Sequence, residues 1–153
     1  MQNHNEPATI LCIDLNRIDA AQFSRGKVSH VPYTDRTMAT ETPLKIEPLP
    51  GAKPGTVILR LVGPLTLTSV QPLRALFRGT EPPLHTILDL SGVPYIDSAG
   101  MSEIINHEVY CRGRHVQLSL AGVTPRVLTM FHTTRLEKVL TLAATVEEAE
   151  ART

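Results

Sequence analysis

The most chemically suggestive cluster in the sequence is Asp97-Ser98-Ala99-Gly100, a hydroxyl beside a carboxylate with two small residues after it. Three chemistries suit it. The serine can accept a phosphate, it can act as a nucleophile if a base lies beside it, or the pair can simply cap a helix. Ser and Asp are favoured immediately before helices because their side-chain oxygens accept bonds from the first free backbone N–H groups. Capping and phosphorylation are compatible, since an exposed cap hydroxyl is still open to modification. A helix N-terminus also carries partial positive charge, so a phosphate of about −1.5 to −2 charges is tolerated there. Ala99 and Gly100 keep the helix entrance small, which leaves the hydroxyl within reach of another protein.

The alternatives fail on spacing. No Gly-rich phosphate loop with its lysine is present, and Arg112-Gly113-Arg114 lacks the Rossmann glycines. There is no Gly-x-Ser-x-Gly elbow. His107-Glu108 is not followed by a histidine four residues after His107, so the zinc-protease helix motif is missing. Ile96 stands where an esterase Gly-Asp-Ser would need glycine, and Ala99 interrupts an aspartic-protease Asp-Ser-Gly. His107 and His115 read as solvated residues around a helix end. We therefore expect a protein that is not an enzyme, with no cofactor and no metal. A nucleophilic role for Ser98 would need a histidine base within hydrogen-bond reach.

Charge and hydropathy narrow the class further. The 153 residues contain 15 Lys plus Arg and 15 Asp plus Glu, without a basic stripe, which argues against direct nucleic-acid binding. Cys12 and Cys111 lie far apart with no metal-ligand spacing and read as reduced thiols. The apolar run at 8–15 contains Asp14 and falls well short of the roughly 18 residues of a membrane span. The expectation is a cytoplasmic protein without membrane insertion.

The elements that must position Ser98 follow from periodicity. Residues 1–42 are polar and weakly periodic, and read as a flexible N-terminal extension. Met38-Ala39-Thr40-Glu41 resembles a translation start, so one reading makes residues 1–37 an upstream, non-native addition. Residues 43–153 form the folded domain. A short strand carries Leu44, Ile46 and Leu49 and is cut by Pro48 and Pro50. A strong strand follows over 56–62, then a helix from about 68 to 77 with Val70, Leu73, Leu76 and Phe77 on one face. Residues 86–90 read as a buried central strand that leads through a loop to Ser98. A helix from about 99 to 112 turns Met101, Ile104, Ile105 and Val109 to one side. Val116, Leu118 and Leu120 mark a strand with one wet face. Thr124-Pro125 starts a third helix, with Thr124 at its cap. Residues 136–142 read as a last strand or extended segment, and 147–152 as a terminal helix or a frayed tail. Alternating strands and helices imply an α/β layer fold.

Leu88-Asp89-Leu90-Ser91-Gly92-Val93-Pro94-Tyr95-Ile96-Asp97-Ser98-Ala99-Gly100-Met101 resembles the signature of STAS domains, in which a hydrophobic strand leads to Asp, Ser or Thr, a small residue, Gly and usually Leu. Gly63-Pro64-Leu65-Thr66 stands where that family has a Gly-x-Leu-Asp turn, and 120–125 and 128–131 resemble its fourth strand and third helix. The resemblance spans about 43–149. It implies a mixed sheet of four to five strands with helices packed mainly on one face. It also implies an anti-sigma-factor antagonist type of function. Ser98 would be phosphorylated by an anti-sigma factor with serine kinase activity, and a phosphatase would restore it. The partner-binding surface would comprise Thr66, Asp97, Ser98, Ala99, Gly100, Met101 and Ser102. Three residues depart from the pattern: Thr66 replaces aspartate, Met101 replaces Leu and Ser102 replaces a common Gly. The alternative within the family is a structural subunit of a stressosome-like or lipid ABC transport complex, with Ser98 only a helix cap.

Overall fold

The computed structural model describes residues 42–152. The expectations for residues 1–41, including the translation start at Met38 and the thiol of Cys12, lie outside the described residues. Five strands and four helices follow one another as β1 (Lys45–Pro50), β2 (Thr56–Val62), α1 (Gln71–Gly79), β3 (His85–Gly92), α2 (Ser98–Gly113), β4 (Gln117–Ala121), α3 (Pro125–Thr133), β5 (Thr141–Ala143) and α4 (Val146–Ala151).

The spatial order of the sheet is the sequence order, β1-β2-β3-β4-β5. β1 and β2 form an antiparallel pair, and every later neighbour is parallel. This order dictates the layers. Each of α1, α2 and α3 is a crossover to the next strand in the same direction, and right-handed crossovers that all advance one way fall on one face. That face carries Val57, Leu59, Leu61, Leu88, Leu90, Leu118 and Leu120, packed against Leu73 and Phe77 of α1, Ile104 and Cys111 of α2, and Val127 and Phe131 of α3. α4 is not a crossover. It folds back to the other face, where Ala149 and Val146 meet Ile58, Ile87, Ala121 and Ala143.

Several sequence expectations shift, each for a local reason. β1 continues through Pro48 to Pro50 because it is an edge strand, where a residue without an N–H is tolerated on the outward side. α1 begins at Gln71, not near 68, because the Ser69 hydroxyl accepts from the Thr66 amide at 2.9 Å and donates to the Pro64 carbonyl at 2.6 Å, folding 64–69 into a side-chain-bonded turn. The segment 136–142 divides into a 3₁₀ turn at Leu136–Lys138 and the short strand β5.

Two faces differ from the periodicity. The β4 face expected to be wet exposes Gln117 but buries Ser119 beneath the α4 side, where it bonds to the buried His85 ring at 2.8 Å. On α2, the inward stripe is Gly100, Glu103, Ile104, His107, Glu108 and Cys111, whereas Val109 is exposed. His107 is thus not solvated. Its ring stacks on Phe77 with centroids 3.5 Å apart and planes 5° from parallel. Polar residues on the buried stripe erased the apolar contrast from which a helix face is read. His115 is exposed and takes a left-handed conformation (φ 58°) in the α2–β4 connection. Cys111 is a buried free thiol; burial, aided by the Glu108 charge, pushes it up to about 11.

Candidate functional site

Ser98 reaches the surface through two loops that are tied together. After β2 the chain turns at Gly63 and runs beside the segment that follows β3. Leu65 and Ile96 form a single parallel bridge, in which the Leu65 amide donates to the Tyr95 carbonyl and the Asp97 amide to the Leu65 carbonyl, each at 3.1 Å. Both Leu65 and Ile96 are buried, so the bridge anchors the start of α2 in the core.

Asp97 is the N-cap of α2. One of its carboxylate oxygens, Oδ1, accepts from the amides of Ala99 at 2.8 Å and Gly100 at 3.0 Å. The other, Oδ2, accepts from the Leu67 amide at 2.9 Å. Partial burial by itself would raise this carboxyl, but the three amides of Gly100, Leu67 and Ala99 outweigh it and hold the group below the ordinary aspartate range. Asp97 is therefore a fixed anion.

Ser98 occupies the first helical position and is exposed. Its carbonyl accepts from the Ser102 hydroxyl at 2.7 Å. Its own hydroxyl has no hydrogen bond among the described residues, and no histidine among them bonds to it; His85 and His107 are engaged elsewhere. The reading of Ser98 as only a helix cap is corrected, because the capping oxygen belongs to Asp97. The helix amides that would have received a phosphate, those of Ala99 and Gly100, are already taken by the same carboxylate.

The other expected site residues separate into two groups. Ala99 and Met101 are half-buried and Ser102 is exposed, on the same first turns of α2. Gly100 is buried and has a different reason for its size from the one expected. A Cβ there would lie 2.7 Å from Leu65 Cγ and overlap the Leu65 carbonyl, so glycine is what allows the two loops to close. Thr66 is only 7% exposed. Its hydroxyl lies 3.0 Å from that of Thr68 and 3.2 Å from that of Ser69, turned into its own loop. Thr124 flanks the site by another route: it caps nothing with its side chain but donates to the Val93 carbonyl at 3.1 Å, docking α3 on the loop that carries Ser98.

Sequence reasoning missed two neighbours. Leu67 is 65% exposed although its amide is held by Asp97. Arg126, in the first turn of α3, places its guanidinium 5.5 Å from the Tyr95 ring centroid. Only the pairing of loops distant in sequence brings Leu67 to Asp97 and Arg126 to Tyr95, on the segment that leads into Ser98.

The STAS domain family profile matches residues 50–149. The chain belongs to the STAS domain family. No curated protein matches the chain by sequence. Among solved structures, the STAS chain is similar to an anti-sigma factor antagonist from Mycobacterium paratuberculosis, with a TM-score of 0.63 and 18% identity over 76% of this chain and 97% of that one. It is also similar to the anti-sigma factor antagonist SpoIIAA in its unphosphorylated form, with a TM-score of 0.55 and 24% identity over 71% and 94% of the two chains. A sulfate transporter family protein from Wolinella succinogenes shares the fold as well, with a TM-score of 0.59 and 24% identity over 64% and 84%. At these identities the likeness is one of fold: a five-stranded mixed α/β sheet. No helix among the described residues is long and apolar enough to cross a membrane, and no group of three or more His, Cys, Asp or Glu among them is arranged to hold a metal ion.

Proposed function

We propose that this STAS domain is a non-enzymatic regulatory binding protein of the anti-sigma-factor antagonist type. It binds an anti-sigma factor with serine kinase activity through the face around Ser98, it is released when Ser98 is phosphorylated, and a phosphatase restores it, all in the cytoplasm. One observation carries the reading: Ser98 is exposed with its hydroxyl uncommitted, while the neighbouring Asp97 supplies the helix cap. Modification at Ser98 therefore removes no bond from the fold, and the added charge of about −2 acts on the docking partner alone. The likeness to SpoIIAA, whose structure is known in unphosphorylated and phosphorylated forms, supports the same reading. Asp97, Ala99, Met101 and Ser102 surround the hydroxyl on the docking surface. Thr66 and Gly100 contribute by shaping the loop that carries it.

The test is phosphorylation of the full chain with the kinase partner and ATP, followed by mass spectrometry. Phosphate on Ser98 is expected. Phosphate elsewhere, or none, rejects the switch. Ser98→Ala should stay bound and Ser98→Asp should bind weakly; equal affinities for the two reject it as well.

The likeness to a sulfate transporter family protein favours a second reading, a structural subunit of a transport complex. It predicts stable copurification with a membrane transport protein, unaffected by Ser98→Asp; permease and ATPase subunits would mark the lipid ABC transport form of this reading.

A further inference from the structure

Across the three loops at this end of the sheet, residues 63–69, 91–99 and 122–126, only Asp97 and Arg126 are charged. Asp97 is consumed by three backbone amides. Arg126 is exposed, yet it is not loose. Its guanidinium lies over Tyr95, three residues before Ser98, and the Thr124 bond to Val93 fixes the helix turn from which it projects. A guanidinium held on an aromatic face is pre-organised to form directional bonds to a carboxylate. The adjoining loop presents Leu67, an apolar side chain 65% exposed on a backbone anchored to Asp97.

We propose that Leu67 and Arg126 are the two anchors by which a partner protein docks over Ser98, Leu67 entering an apolar pocket and Arg126 pairing with a carboxylate of the partner. Where the partner sits rests on the regulatory reading above. Charge complementarity commits the partner to an acidic group, because Arg126 is the one exposed charge on these loops. The same pairing explains how phosphorylation would eject the partner. A phosphate on Ser98 cannot draw on the capped helix amides, and it would face a carboxylate seated on Arg126 of the adjoining loop. Like charges so juxtaposed oppose binding. Leu84, which precedes β3 at the far end of the sheet, and Val109, eleven residues along α2, are exposed apolar residues outside this surface and serve as controls.

The experiment is site-specific photo-crosslinking of the full chain in its native host, with p-benzoylphenylalanine replacing Leu67, Leu84 or Val109 in turn. One protein should be captured from position 67 and not from 84 or 109. Arg126→Glu should reduce the adduct by about tenfold, as expected for reversing one charge of a pair, while leaving the thermal midpoint unchanged. Arg126→Lys should retain the adduct, and carbodiimide should then join the Lys amine to an Asp or Glu of the captured protein. No adduct from position 67, equal adducts from the controls, persistence in Arg126→Glu, or no carbodiimide link each overturns the proposal. Ser98→Asp separates this proposal from the one it rests on. An adduct that depends on Arg126 but survives Ser98→Asp keeps the docking anchors and rejects the phosphorylation switch.

Discussion

Asp97 Oδ2 accepts the Leu67 amide at 2.9 Å while Oδ1 of the same carboxylate caps the start of α2. One side chain thus joins two loops separated by thirty residues and orients the serine that follows it. Asp97→Ala removes the cap and the inter-loop bond together. We expect a loss of about 2–3 kcal/mol, a cap plus one charge-assisted bond, in urea unfolding at pH 7. Faster hydrogen exchange at the Leu67, Ala99 and Gly100 amides should accompany it. Because the folded carboxyl lies below its ordinary value of 3.8, its contribution is present above that pH and disappears as pH falls further.

Gly100→Ala inverts the usual helix rule. In an unencumbered helix the change stabilises by about 0.5–1 kcal/mol. Here the new Cβ meets Leu65, whose carbonyl holds the Asp97 amide. A loss of about 1–3 kcal/mol, in the range of overpacked cores, is expected in thermal or urea unfolding. A gain would show that the two loops can separate freely.

Ser98→Asp should leave stability within about 0.5 kcal/mol of the parent, the range of exposed substitutions that break no bond. The helix dipole favours the added charge and the neighbouring Asp97 anion opposes it. A loss above about 1.5 kcal/mol in urea unfolding would mean that Ser98 carries part of the fold. Loss of binding in this variant could then not be assigned to charge.

Acid sensitivity should come from buried histidines before carboxylates. Burial lowers His107 to about 4 despite the opposing charge of Glu103, and burial lowers His85 in the same direction. Each is neutral when folded but accepts a proton when unfolded below 6.5. Stability is therefore full above pH 6.5 and falls as pH drops from 6.5 toward 4. The His107 share is on the order of 3 kcal/mol across that window. His107→Phe keeps a ring against Phe77 and cannot titrate, so urea midpoints between pH 7.5 and 5 should converge in this variant, leaving only the His85 slope. An unchanged slope would remove His107 as its source.

The sequence by itself determined the order of elements, the strong strands and the delivery of a serine to the start of a helix. These are local consequences of hydrophobic period, Gly and Pro placement, and a cap-forming Asp. Its resemblance to STAS domains supplied the expectation that Ser98 is the modified residue. Tertiary structure decided what those residues do for one another. Asp97, not Ser98, caps α2, and its second carboxylate oxygen reaches across to Leu67. Gly100 is small because Leu65 lies against it. His107 is buried because Phe77 of a neighbouring helix stacks on it, and Ser119 because α4 turns back to cover the opposite face. Leu67 comes to Asp97 and Arg126 to Tyr95 only through a bridge between Leu65 and Ile96 and a bond between Thr124 and Val93. Each of these depends on contacts across many residues of chain, and periodicity along the chain carries no record of which loops will meet.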